Sequence, residues 1–238
     1  MKNILNNVFE TQYQTAPFEQ IQTANFIPAL ELEISRALDE IDHICSNPEK
    51  PTFENTLEAL EQSGEQLGII SGILFNQNSA ETSNELQEVT QKAAPLLTKF
   101  KNDVRLNKVL FDRIKNIFDI KETLELDAEQ LTLIEKEYKV FVRNGALLSP
   151  EDKDKLRLID TELAQLSLSF GEHVLADSQA FELHLTDKKQ LEGLPETSIA
   201  QAEALAKEKN KDGWIFTLDY PSYVPFVTYA DDRELRKK

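Results

Sequence analysis

The amino-acid sequence predicts a mainly α protein, an elongated antiparallel helical domain with a small two-stranded β element near its C-terminal end. Three observations carry that prediction. Only seven of 238 residues are glycine while leucine, glutamate and lysine abound, a balance that favours long helices. Apolar residues recur at spacings of three and four along most of the chain. A period of two appears only late, at Phe181–Leu185, followed by a second strand-like run at Trp214–Leu218. With 40% apolar residues, a chain of this length can bury roughly 70% of the surface its unfolded form exposes.

Residues 1–24 read as an extended arm containing Pro17, with few periodic apolar positions. A first helix is expected from about Asn25, its stripe formed by Leu30, Ile34, Ala37, Leu38, Ile41, Ile44 and Cys45. Pro28 falls in its first turn, where a missing N–H costs little. The run from Asn47 to Pro51 ends it, and Thr52 is placed to cap the next helical segment. Phe53, Leu57, Leu60, Leu67, Ile70 and Leu74 continue an apolar face, with Gly64 and Gly68 as soft points. The next helix begins near Thr82, and Pro95 inside it should kink or split it. A shorter helix carries Val109, Leu110, Ile114, Ile117 and Phe118.

Asp127 and Gln130 form a capping box at the head of a helix bearing Leu131, Ile134, Tyr138, Phe141 and Val142, and Gly145 should stop it in a left-handed conformation. Ser149, Pro150, Glu151 and Asp152 start another. There Leu156, Ile159, Leu163, Leu166 and Phe170 form a seam suited to packing on the preceding helix. Beyond a possible subdivision near residue 175, the two strand-like runs pair as strands around a short helix after Pro195. Pro221 and Pro225 predict irregular chain, and Asp231 or Asp232 can cap a last helix. Tyr220, Tyr223 and Phe226 fit either a local core or an exposed apolar patch.

The charge excludes several partners. Forty-two acidic side chains against 26 basic ones give a formal net charge of −16, which repels nucleic-acid phosphates and anionic lipids. No apolar run approaches the ~20 residues of a membrane span, so no membrane association is expected. A single cysteine, Cys45, excludes an internal disulfide and suits a reducing, cytoplasmic setting.

The search for chemistry is negative. His43, His173 and His184 are scattered, and the sequence holds no H-E-x-x-H, no C-x-x-C and no phosphate-binding glycine loop. His184 is expected at the surface of its strand, Cys45 as a buried inert thiol, and Gly64 and Gly68 as aids to close helix packing. Carboxylate pairs such as Glu58 with Glu61 and Asp152 with Asp154 fall on polar faces, as expected by chance among so many acids. No catalytic, cofactor-binding or metal-binding residue is assigned.

Several phrases nevertheless occur in a telling order. They are Pro17-Phe18-Glu19-Gln20-Ile21 and Phe26-Ile27-Pro28-Ala29-Leu30, then Pro51-Thr52-Phe53-Glu54-Asn55-Thr56, then Phe141 to Leu148, then Leu163 to Gly171. Asp212-Gly213-Trp214, Pro221-Ser222-Tyr223 and Arg233-Glu234-Leu235-Arg236 close the series. Together they resemble the amino-terminal part of the thimet oligopeptidase and peptidyl-dipeptidase family of zinc metallopeptidases, with the peptidyl-dipeptidase branch preferred. The resemblance implies a cytoplasmic hydrolase whose zinc, H-E-x-x-H helix and substrate-orienting residues belong to a catalytic domain absent from these 238 residues. Residues 25–238 would then be a helical, non-catalytic domain forming one wall of a channel that admits only short peptides. Its implied partners are that catalytic domain and, for the full-length enzyme, short peptides. The chain alone is expected to hold no catalytic zinc and to cleave nothing. Two alternatives stay open at this point, a stand-alone helical peptide-binding or interaction protein without catalysis, and a helical scaffold whose likeness reflects packing alone.

Overall fold

The computed structural model describes residues 3–238, which divide into a first unit ending at Leu166 and a second beginning at Ser167. The arm of the first unit carries short 3-10 turns at Ile4–Asn6, Gln12–Gln14, Phe18–Gln20 and Thr23–Asn25. Its Leu5 and Phe9 are buried. Asn6 Nδ2 donates to the Glu33 carboxylate at 2.7 Å, and Gln66 Nε2 donates to the Leu5 carbonyl at 2.7 Å. These bonds tie the arm to the helices beneath it.

Helix α1, Phe26–Ser46, comes next, with Pro28 in its first turn. Its single stripe serves two cores. Phe26, Ala29, Leu30 and Ala37 pack with Ile70 and Leu74 of α3, Glu65–Ala80, and with Leu86 and Ala93 of α4, Asn84–Arg105. Ile41 and Ile44 instead join Leu110, Ile114 and Ile117 of α5, Lys108–Ile120, and Ile134 and Phe141 of α6, Ala128–Arg143. Between α1 and α3 lie a π-helical turn, Phe53–Glu58, and the short α2, Ala59–Gln62. The chain breaks there at Gly64, whose φ of +68° suits glycine.

Most boundaries obey the capping chemistry. Asn55 N–H donates to Thr52 Oγ1 at 3.1 Å, and Asp127 and Gln130 exchange side chain-to-backbone bonds of 2.9 and 3.0 Å. Gly145 stops α6 with φ +92°, where an added Cβ would fall 2.7 Å from Leu156 Cδ2. Of the kink or split expected at Pro95, the split does not occur, and α4 runs through it as one helix. Leu86 near one end and Val104 near the other are buried in separate cores, and that packing outweighs the roughly 3 kcal/mol penalty of an interior proline.

Helix α7, Pro150–Ala180, brings a second correction. Ser149 caps it and Arg157 pairs with Asp103 at 2.7 Å, but the seam does not pack on the preceding helix. Ile159, Leu163, Leu166 and Phe170 are 59, 59, 58 and 72% exposed. The reason lies in α6, which turns its aromatic face to α5. There the rings of Tyr138 and Phe118 stack 3.9 Å apart, and Phe111 lies 6.2 Å from Phe141.

In the second unit, β1, Leu183–Leu185, pairs antiparallel with β2, Trp214–Phe216, placing Leu183 opposite Phe216. Helix α8, Glu196–Glu208, packs on β2. The stretch expected to be irregular forms α9, Tyr220–Tyr229. Pro221 sits in its first turn, where it costs little. Burial of Phe226, 4.7 Å from the Phe216 ring, offsets the bond lost at Pro225. Asp232 caps α10, Arg233–Arg236, accepting from the N–H groups of Glu234 and Leu235. Gly213, at φ +94°, lies so close to the strand that an added Cβ would sit 2.2 Å from the Leu185 carbonyl oxygen.

Two of these contacts can be tested in the second unit. Gly213→Ala should destabilise it by at least about 2 kcal/mol, because a positive φ and a backbone clash act together; unchanged urea unfolding of the variant would contradict this. Hydrogen bonds from Lys209 and Lys211 hold the Glu182 carboxyl down at about 2. A native value lowered from 4.5 means that this stabilisation is present in full above pH 4.5 and is lost as pH falls toward 2. Carbon-13 titration of the Glu182 carboxyl in a Lys209→Met, Lys211→Met double variant should return it to the ordinary carboxylate range.

Candidate functional site

Three features could carry function: a buried polar hub, an apolar cavity and an exposed apolar helix face. The hub centres on Arg113, which is 7% exposed. It lies on the apolar row of α5, between Leu110 and Ile114. Its Nε donates to Thr56 Oγ1 at 3.3 Å, Nη2 to Asn55 Oδ1 at 2.9 Å, and Nη1 to the carbonyls of Asn47 and Glu49 at 3.0 and 3.3 Å. Asn55 is saturated in turn. Its Oδ1 also accepts from the Thr52 N–H and the Thr56 hydroxyl, and its Nδ2 donates to the Lys50 carbonyl at 3.0 Å. Phe53 and Leu57 on the same turn are buried in the second core of the first unit.

The physical content of the Pro51–Thr56 phrase is therefore structural. A capping threonine, a core phenylalanine, a saturated amide and a buried hydroxyl fix a π-helical turn around one guanidinium. Such turns often mark functional positions, but here the Arg113 donors are spent on oxygens of the fold itself. Sequence reading found Thr52 and missed Arg113. The available signal was a cation three residues after Leu110, in the middle of an apolar helix row.

The histidines occupy three different elements, His43 on α1, His173 on α7 and His184 on β1, and all are exposed. His184 Nε2 lies 2.6 Å from the Asp212 carbonyl oxygen, a bond that steadies the strand pair. Cys45 is half-buried, and its pKa is raised by burial and then by Asp42, so the thiol is held in its unreactive form. Glu58, Glu61, Asp152 and Asp154 are exposed on helix faces. Among the described residues no group of three or more His, Cys, Asp or Glu side chains is placed to hold a metal ion. No helix among them is long and apolar enough to cross a membrane.

The cavity lies wholly in the second unit. About 200 Å³ in volume, it is lined by Phe181, Leu183, Phe216, Tyr223 and Phe226 together with Arg236. The aromatic run is thus divided between two roles. Phe226 belongs to the core at 4% exposure, whereas Tyr220 and Tyr223 reach solvent at 78 and 47%. On α3, an added Cβ at Gly68 would meet nothing within 4 Å, so close packing inside the chain does not explain that glycine; Gly64 comes nearer, 3.4 Å from Ala37 Cβ. The exposed face is that of α7, which has no buried residue along its length.

Comparison with known proteins gives these features a context. Residues 27–153 match the model of the neurolysin/thimet oligopeptidase N-terminal domain. The chain is 35% identical over 227 residues to a dipeptidyl carboxypeptidase of Escherichia coli, covering 95% of this chain and 33% of that protein. It is 26% identical over 234 residues to oligopeptidase A of Salmonella typhimurium, covering 98% and 34% respectively. With the organellar oligopeptidase A of Arabidopsis thaliana it shares 27% identity over 244 residues, spanning 100% of this chain and 31% of that protein. The chain therefore spans about a third of the length of the curated relatives it matches. The arm, the capped helices and the Thr52–Thr56 turn around Arg113 belong to a chain that is a member of the neurolysin/thimet oligopeptidase family and carries its N-terminal domain.

Proposed function

We propose that this chain is the non-catalytic, amino-terminal part of a zinc peptidase that releases dipeptides from, or cuts within, short peptides. In this reading its helices form one wall of a substrate channel and keep folded proteins out. The zinc and the residues that activate water belong to the rest of the polypeptide, in cytoplasmic surroundings. The observation that carries the reading is the family match itself. It covers residues 27–153 with an N-terminal domain, in a chain whose described side chains offer no metal-donor cluster. The names of the relatives, dipeptidyl carboxypeptidase and oligopeptidase A, supply the substrate class. The identities of 35 and 34% to two dipeptidyl carboxypeptidases, against 25 to 29% for the oligopeptidases A, favour release of dipeptides.

Three measurements test this. An antibody against the chain should detect, in source cells, a polypeptide several hundred residues longer than 238. A native product of 238 residues would turn the search to peptide binding without cleavage. The longer polypeptide should contain stoichiometric zinc and show chelator-sensitive hydrolysis of a quenched short peptide, whereas the 238-residue chain should show neither. Zinc with activity in the short chain alone would overturn the assignment of the chemistry to the rest of the polypeptide. For the wall, a photoreactive peptide bound to the longer protein should label residues within 1–238. Labelling confined to the remainder would remove the channel role.

The hub yields a stability expectation for the same protein. Arg113→Met removes one donor from each of four oxygens and should lower the unfolding free energy by about 3 kcal/mol. Arg113→Lys should rescue little, because one ammonium cannot span a planar fork of acceptors. Hydrogen exchange across residues 47–58 should accelerate in both variants, and unchanged protection there would contradict the anchoring role.

A further inference from the structure

We infer that the face of α7 from Ile159 to Val174 docks one amphipathic helix from the rest of the polypeptide, its apolar stripe flanked by lysine or arginine. This rests on the proposal that the chain is part of a longer protein.

Exposure makes the face unusual. Ile159, Leu163, Leu166, Phe170 and Val174 are 59, 59, 58, 72 and 49% exposed on a single helix, and none of its 31 residues is buried. Isolated apolar side chains on a surface need no explanation, but a contiguous row marks an interaction surface. The start of α7 is already engaged within the first unit, where Arg157 pairs with Asp103 and Lys153 donates to the Leu106 carbonyl at 3.1 Å. The row lies beyond these anchors.

The spacing selects the shape of the partner. Ile159, Leu163, Leu166, Phe170 and Val174 are separated by four, three, four and four residues, the helical spacing that keeps one apolar row along α7 for a second helix to pack against. From Ile159 to Val174 the seam runs about 22 Å, at 1.5 Å per residue, which matches a partner helix of roughly four turns. A strand or an extended peptide, with its period of two, would meet this row in only a few places.

Charge selects the chemistry of its flanks. Asp160 and Glu162 stand beside the seam at the positions where interlocked helices place their pairing charges. After Arg157, α7 contains no lysine or arginine, while Asp160, Glu162, Glu172 and Asp177 are all acidic. The same row of a second copy would bring further acids and no cation to meet them. The complement is a helix whose apolar stripe is edged by basic side chains.

The experiment uses the full-length protein with a benzophenone amino acid in place of Leu166 or Phe170, with the crosslinks mapped by mass spectrometry. Crosslinks to one segment outside residues 1–238, with apolar residues at three and four spacing and lysine or arginine beside them, are the expected result. Crosslinks within 1–238, to a second copy, or to a segment without that pattern would overturn the inference. A native polypeptide of only 238 residues would remove the underlying reading as well, so the two failures are separable. As a second readout, Asp160→Lys with Glu162→Lys in the full-length protein should raise amide exchange along α7 by about tenfold or more, since like charges would then face each other. Unchanged exchange would count against the basic partner.

Discussion

The guanidinium of Arg113 is the constraint on which the first unit depends. A cation buried to this degree needs hydrogen bonds in nearly every donor direction, and four oxygens from residues 47–56 supply them. Satisfying that demand fixes the path from the end of α1 into the π-helical turn. The turn in turn sets Phe53 and Leu57 into the core shared with α5 and α6. A polar requirement at one side chain thus positions apolar packing on three elements.

Helix α1 extends that control to the rest of the unit. Its stripe is continuous, yet its first half packs on α3 and α4 while its second half packs on α5 and α6. The arm closes over the first of these cores, with Leu5 inserted and Asn6 bonded to the buried carboxylate of Glu33. The second unit has its own core around Phe216 and Phe226, with strands too short to stand without α8 and α9 against them.

A helical layer that leaves one long apolar row uncovered is an incomplete structure in energetic terms. Within the first unit α6 cannot cover the row, because its aromatic side chains are committed to α5. Membership of a peptidase family whose relatives are about three times longer gives that incompleteness a context. The channel role and the docking face are two aspects of one proposal, that these helices work as part of a larger fold.

What the sequence alone determined were the features governed by neighbours along the chain. The caps at Thr52, Asp127 and Asp232, the left-handed stop at Gly145 and the alternation of Phe181–Leu185 depend on contacts within a few residues or on a plain period, and all were legible. So was the family, because its phrases occur in order along the chain. Tertiary structure decided the rest. Pro95 stays inside an unbroken helix and Pro225 inside another because buried partners outweigh a lost hydrogen bond. The seam of α7 looked like packing because periodicity reports that a face is apolar, not what meets it. Arg113 drew no reading from the sequence, and only the fold brought Asn47, Glu49, Asn55 and Thr56 around it, at separations of 57 to 66 residues.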